Sequence, residues 1–503
     1  MLATIRSATL AGIVGLPVDV EVHVANGLPA FSIVGLPDTS CREARDRVRA
    51  AIQSSGRDWP MRRITVNLAP SDVRKVGGGL DLPIAVGILV ASGQLPAEAT
   101  PCPAMLGELA LDGSVRSVPG VLPLVDAVDA DRVVVPAADV AIAGLVAADR
   151  VRPVNHLREL ADVLTDGAPC PVVEPPPTAP PAPPGPDLAE VRGQPAALWA
   201  LKVAAAGGHH LLLVGPPGAG KTMLARRLPG LLPELDDRRA LAVTRVHSAA
   251  GLPLPGDGLV RRPPWRAPHH AASMAALVGG GSGVARPGEV SLASDGVLFL
   301  DELGEFAPSV LDALRQPLEE GVVRVARAGG TVEHPARVLL VAAMNPCPCG
   351  EGGSIACRCP AASRHRYARR VSGPVLDRID LVVRVDRPAA ADLLDPRPVE
   401  SSSEAAADVA RVRARAADRG VAVNALLDGR ALEAHTVLDD AAAELLRAAL
   451  TEGRLSARGL RRVRCVARTI RDLDDGGSGV RAIDVAAALS LRPRPDPTGI
   501  CDG

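Results

Sequence analysis

Eight consecutive residues, Gly215-Pro216-Pro217-Gly218-Ala219-Gly220-Lys221-Thr222, lie between an apolar run at 211–214 and a stretch of helical pattern at 223–228. Glycines let such a loop close on an anion, while a strand-turn-helix arrangement aims backbone N–H groups and the positive end of a helix dipole at it. In this pattern the Lys221 ammonium reaches the β- and γ-phosphates of a nucleotide and the Thr222 hydroxyl helps hold Mg²⁺. The chain has only three lysines, Lys75, Lys202 and Lys221, against 53 arginines. A compact ammonium is a point donor that a planar guanidinium does not replace, so a lysine at 221 fits phosphate chemistry.

Hydrolysis needs a carboxylate for the metal and a base for water. Gly296-Val297-Leu298-Phe299-Leu300-Asp301-Glu302 supplies both: four apolar residues predict a buried strand, with two acids at its C-terminal end, where open α/β sheets bind their ligands. Asp301 is expected to hold Mg²⁺ through water and Glu302 to polarise the attacking water. A second apolar run, 337–343, leads to Asn345, a polar amide placed to position that water. In Asp377-Arg378-Ile379-Asp380 an arginine stands between two acids. Either they aim Arg378 at the γ-phosphate of a neighbouring subunit or the three form a structural salt bridge.

Cys347, Cys349, Cys357 and Cys359 form a C-x-C-x7-C-x-C set. Four soft ligands suit tetrahedral Zn²⁺; structural thiols are the alternative. Nine cysteines, four of them clustered, fit reduced thiols better than a disulfide framework.

These residues require elements to carry them, and 503 residues allow about three domains. Residues 1–165 mix strand patterns (18–24, 30–34, 64–68, 133–135) with helical ones (40–54, 82–92), an α+β unit. Residues 166–186 form a linker; nine of the sixteen residues from 171 to 186 are proline, which extends as a semi-rigid spacer. From 187 to 392 strands and helices alternate, as in a parallel-sheet nucleotide-binding domain. Ser401, Ser402 and Ser403 read as a second, softer linker inside 393–503. The rest of that segment carries four helical patterns (404–419, 441–452, 457–473, 483–489), a small all-α domain. The fold class is multidomain α/β.

A net charge of −1 gives no global attraction to nucleic acid, and 1% aromatic residues argue against gripping single strands by stacking. No apolar run reaches the roughly 18 residues of a membrane span. Arg6 ahead of an apolar stretch mimics a signal peptide, but the alternation at 18–24 predicts a strand and no small-residue cleavage pattern precedes it, so the chain reads as cytoplasmic.

The order of these motifs resembles AAA+ ATPases of the magnesium-chelatase group, and more closely the ComM/YifB branch. Arg266-Ala267-Pro268-His269-His270, Arg286-Pro287-Gly288-Glu289-Val290-Ser291-Leu292-Ala293 and Asn345-Pro346-Cys347-Pro348-Cys349-Gly350 are similar to signatures of that branch. The resemblance runs from Met1 to about Leu491. It implies a ring-shaped homohexamer with ATP and Mg²⁺ at subunit junctions. It further implies a pore-facing hairpin at 322–332, a pore-facing helix insertion at 265–283, and Arg458 from the helical lid at the nucleotide. Residues 1–165 resemble the Lon protease fold around 79–92 and 107–115. Yet the stretch expected to carry the serine reads Leu80-Asp81-Leu82-Pro83 and that expected to carry the lysine, 118–123, has none, which leaves a structural or substrate-gripping module.

The sequence therefore points to an ATP-driven motor moving DNA, promoting branch migration in recombination or transformation, with contacts that ignore base sequence. The candidate grip is Arg324 and Arg327 on the hairpin and the seven arginines from Arg454 to Arg471. The alternative is a chelatase-like or chaperone-like ATPase that remodels a protein partner.

Overall fold

Alternation of buried and exposed residues builds the first hairpin. In the computed structural model, strands β1 (Leu2–Ala11) and β2 (Val14–Ala25) pair antiparallel from Leu2↔His23 to Ala11↔Val14. The apolar start that mimicked a leader is therefore an amphipathic strand. The structure describes residues 1–96, 104–166, 185–280, 286–327, 330–352, 357–371, 373–394, 399–474 and 476–492. The proline-rich stretch expected as a linker lies, but for 185 and 186, outside them.

Strand β3 (Ala30–Val34) runs parallel to β4 (Arg63–Ala69), giving a sheet of order β1-β2-β4-β3. Helix Thr39–Ser54, capped by the Asp38 carboxylate, and the fully buried helix Asp81–Ala91 contribute the core under this sheet. Strands β5 (Ala104–Met105), β8 (Val133–Pro136) and β9 (Val151–Val154) make a small parallel sheet, and β6 (Glu108–Leu109) with β7 (Val115–Arg116) a short hairpin.

The second half is organised by a wholly parallel sheet of β10 (Leu211–Val214), β11 (Trp265–Arg266), β12 (Val297–Leu300), β15 (Leu339–Met344) and β16 (Leu381–Arg384). Its order is β11-β12-β15-β10-β16. Strands β10, β12 and β15 are buried along their whole length, which explains why they read as continuous apolar runs. Residues 265 and 266 are thus an edge strand, paired with β12, where a helix insertion was expected to begin. The short helix Met274–Val278 follows, and 281–285 lie outside the described residues. Strands β13 (Val322–Arg327) and β14 (Gly330–Pro335) form the expected hairpin before β15.

Helices Ser402–Asp418, Asp440–Thr451, Ala457–Asp474 and Ala482–Ser490 share one apolar core with the sheet and with helix Pro195–Gly207. Ser401, read as linker, caps the first of these, exchanging hydrogen bonds with Glu404 in a capping box. The N-terminal unit docks on helix Asp237–Ala250. There Gly120 N–H donates to the Ser248 carbonyl at 2.7 Å, Asp126 pairs with Arg245 at 2.8 Å, and Leu145 packs beside Leu235 and Val243.

Candidate active site

The loop after β10 is closed by geometry that only glycine allows. A Cβ on Gly215 would stand 1.9 Å from the Val385 carbonyl oxygen, and Gly218 and Gly220 have φ of 77° and 89°. Helix Lys221–Ala225 starts two residues before the expected helical pattern and gives way to a tighter turn at Leu228–Leu231, because Pro229 has no N–H to continue an α-helix. Pro216 and Pro217 fix the turn and Ala219 is buried beneath it.

Four expected residues meet at this end of the sheet. Lys221 Nζ donates to the carbonyls of Gly215 (2.6 Å) and Pro216 (2.9 Å) and to Asn345 Oδ1 (3.0 Å). Burial lowers its pKa, against the pull of Asp301 and Glu302. Thr222 Oγ1 donates to Asp301 Oδ2 at 2.7 Å, bringing together two oxygens suited to Mg²⁺. Glu302 follows at φ 52°, in the left-handed region that non-glycine residues rarely adopt.

The sequence did not reveal what meets that carboxylate. His270 Nδ1 lies 3.1 Å from Glu302 Oε2, and its ring packs against His269 and edge-on to Phe306. Arg266 makes two bonds to Glu289, at 2.6 and 2.7 Å, which ties two of the signature stretches together. Between them Trp265 stacks on Phe299 of β12 with ring centroids 5.2 Å apart. No local spacing announces such a contact; the one signal was that His270 closes a stretch similar to a signature of the ComM/YifB branch.

Arg378 and Arg458 lie elsewhere. Leu381 pairs with Leu211 and His210 N–H donates to Asp380 at 3.0 Å, so residues 378–380 stand at the N-terminal edge of the sheet. A four-residue strand, about 13 Å long, separates them from the phosphate loop. Arg378 is buried, bound to Glu319 and donating to the Arg315 carbonyl at 3.1 Å, while Asp380 pairs with Arg462 at 2.8 Å. Arg458 is 57% exposed and 3.9 Å from the same Glu319. The expectation that a lid arginine sits at the nucleotide is not met within one subunit. A cavity of about 640 Å³ opens at this edge, lined by Glu319, Asp380, Arg413, Arg458, Arg461 and Arg462.

The arginine-rich lid helix also differs from its expected role as a phosphate grip. Arg461 donates to the carbonyls of Ala425 and Leu427, Arg464 makes two bonds to Glu433, and Arg468, fully buried, binds Asp472 at 2.5 Å. Glu433 from another helix and Asp472 from just beyond the run answer a stretch that itself contains no acid. On the β13–β14 hairpin, Arg324 bonds to Glu320 and Glu333, and the Arg327 side chain lies outside the described residues.

The sulfurs of Cys347, Cys349, Cys357 and Cys359 all lie within 4.8 Å of one another, with separations of 3.3, 3.6 and 3.8 Å among the first three. Tetrahedral Zn–S bonds of 2.3 Å put ligand sulfurs about 3.8 Å apart, so the set fits zinc. The Glu351 N–H beside Cys349 lowers its thiol to about 6.

In the N-terminal unit, Asp81 occupies the stretch where a protease would carry serine. It is buried and held by Arg47 at 2.7 and 3.0 Å, and burial still raises its pKa to about 6. An acid locked to a guanidinium is no nucleophile.

A parallel sheet carrying a phosphate loop, an Asp-Glu pair and a polar amide at adjacent strand ends defines the class of AAA+ ATPases. Family models agree: "Magnesium chelatase, subunit ChlI" matches 187–393, "Subunit ChlI of Mg-chelatase" 20–139, and "Magnesium chelatase, subunit ChlI C-terminal" 399–492. An uncharacterized protein of Mycobacterium tuberculosis is 46% identical over 97% of both chains. YifB of Escherichia coli is 42% identical over 94% of both, and the competence protein ComM of Haemophilus influenzae 41% over 98% of this chain and 97% of its own. Lon protease 2 of Bacillus subtilis is 31% identical over 149 residues, 26% of this chain and 25% of its own. The chain belongs to the ComM/YifB family of magnesium-chelatase-like AAA+ proteins.

Proposed function

We propose that this protein is an ATP-hydrolysing motor that works as a homohexameric ring and moves branched DNA without regard to base sequence. The observation that carries the reading is the division of its functional residues between two ends of one sheet. Lys221, Thr222, Asp301, Glu302 and Asn345 gather at one end, and Arg378 and Arg458 at the other, so one subunit offers half a site at each end.

In this reading Lys221 exchanges the carbonyls of Gly215 and Pro216 for the β- and γ-phosphates. Mg²⁺, held by Thr222 and Asp301, neutralises phosphate charge when bound. Glu302 leaves His270 to take a proton from water, which Asn345 orients. A neighbouring subunit's arginines, Arg378 foremost, turn from Glu319 to the γ-phosphate. The four cysteines hold Zn²⁺. The units are 1–165, a Lon-like module without protease chemistry; 166–186, a linker; 187–392, the ATPase core; and 393–503, the lid. The motor acts in the cytoplasm, and its β13–β14 hairpin and the 265–283 segment face the pore.

The competence-related name of the Haemophilus relative supports DNA as substrate. The internal pairing of Arg324 and of most lid arginines supports a second reading, remodelling of a protein partner, since acids already engage the arginines expected to grip phosphates. ATPase assays of the pure protein alone and with single-stranded, duplex and four-way-junction DNA decide between them. The motor reading expects stimulation that is greatest with the junction, declines steeply with salt and is blunted in Arg324→Ala/Arg327→Ala. An ATPase indifferent to every DNA would overturn it in favour of the second.

A further inference from the structure

The four-cysteine knuckle is built against the phosphate loop. Its Gly350, at φ 86°, sits so close to Pro217 that a Cβ there would stand 2.3 Å from Pro217 Cδ. Gly350 N–H donates to the Cys347 carbonyl at 2.9 Å and Gly352 N–H to Cys347 Sγ at 3.3 Å, so the cysteine turn fixes where that glycine stands. The next residue, Glu351, pairs with Arg387 at 3.2 Å, and Arg387 Nε reaches back to the Pro217 carbonyl at 3.4 Å. Two residues along the loop, buried Gln194 donates to the Ala219 carbonyl at 3.4 Å and to the Asp386 carbonyl at 2.6 Å. The loop is thus braced at Ala219 by Gln194 and at Pro217 by the knuckle.

Cys347 is buried, but Cys349 is exposed and Cys357 and Cys359 are half-exposed. Four thiols that converge within 4.8 Å on so short a loop are a set whose shape a bound metal would define.

We propose that metal occupancy of the Cys347, Cys349, Cys357 and Cys359 site sets nucleotide affinity, by holding Gly350 and Glu351 against the flank of the phosphate loop. Without the metal, Gly350 no longer packs on Pro217 and the Glu351–Arg387–Pro217 chain slackens. The loop N–H groups then pay an ordering cost on binding phosphate. The inference rests on the nucleotide-binding reading of that loop, and it makes a zinc site an accessory of a magnesium-nucleotide site.

The test measures three quantities on the full chain: zinc per chain by elemental analysis, affinity for a fluorescent ATP analogue with Mg²⁺, and the far-ultraviolet circular dichroism of the fold. Zinc-loaded protein is compared with protein stripped by a zinc-selective chelator that spares Mg²⁺, with stripped protein given zinc again, and with Cys349→Ser/Cys359→Ser. We expect one zinc per chain and an affinity about tenfold lower on stripping, restored by zinc, with the spectrum unchanged. Arg387→Ala separates the link from the site: it should keep its zinc and still bind nucleotide more weakly. Equal affinity with and without zinc, or Arg387→Ala binding as tightly as the parent protein, overturns the coupling, and protein without zinc overturns the site. Failure of the nucleotide reading looks different, since zinc-loaded protein would then bind no analogue at all.

Discussion

The two ends of the parallel sheet hold their charges in opposite ways. At the C-terminal end, Lys221 rests on two carbonyls and an amide, Thr222 on Asp301, and Glu302 on His270, all partners that a nucleotide and its metal can replace. At the N-terminal end, Arg378 and Arg462 are closed into bonds with Glu319 and Asp380, and in the lid helix Arg468 is closed onto Asp472. The first arrangement is built from contacts that a phosphate or a cation can displace. The second is mostly architecture, from which Arg378 and exposed Arg458, sharing Glu319, are the pair that could be recruited. Arginine number along a helix is therefore a poor guide to function; what matters is whether an acid from elsewhere has already claimed each guanidinium.

The sharpest break of this comparison is Arg378→Ala, expected to lower turnover about 1000-fold while leaving nucleotide affinity within about twofold. Mixing it with Lys221→Ala should restore part of the activity, because some junctions then pair an intact cradle with an intact arginine. Turnover unchanged in Arg378→Ala would assign it to architecture. Arg468→Ala should do the converse, lowering unfolding free energy by about 3 kcal/mol in denaturant melts, since Asp472 is left buried with one guanidinium fewer; Arg458→Ala should leave the melt unchanged.

At the other end, Lys221→Ala should weaken ATP binding about 100-fold in a direct titration, through loss of a charged donor, whereas Glu302→Gln should bind normally and stall hydrolysis. The smallest effect belongs to His270→Ala. Freeing the Glu302 carboxylate of one hydrogen bond should raise unstimulated turnover about fivefold, and a fall instead would make His270 a support of the base and not its restraint.

Contiguous chemistry was legible in the sequence. The loop 215–222, the acids after β12 and the amide after β15 each depend on a strand that ends where an apolar run ends, and those runs are visible. The lid helices were legible from their own patterns, and the hairpin β13–β14 only through the family resemblance. What escaped joins residues far apart in the chain: His270 to Glu302, Gly350 to Pro217, Arg464 to Glu433, Arg458 to the wrong end of its own sheet. The register that creates these meetings comes from tertiary packing. Ser401 misled differently, because a serine triplet serves a linker and a helix cap equally well, and only Glu404 three residues later tips the balance.

One stacked pair offers an optical handle. The chain has three tryptophans. Trp59 lies beside Phe31 in the N-terminal unit, and Trp199 sits partly exposed on the helix Pro195–Gly207. Trp265 alone rests on the strand that delivers Asp301 and Glu302, next to the segment bearing His270. With Trp59→Phe and Trp199→Phe in place, the remaining emission comes from a ring wedged between the catalytic strand and its neighbour. Its colour and lifetime then follow, in real time, every shift of the Glu302 strand against the His270 segment.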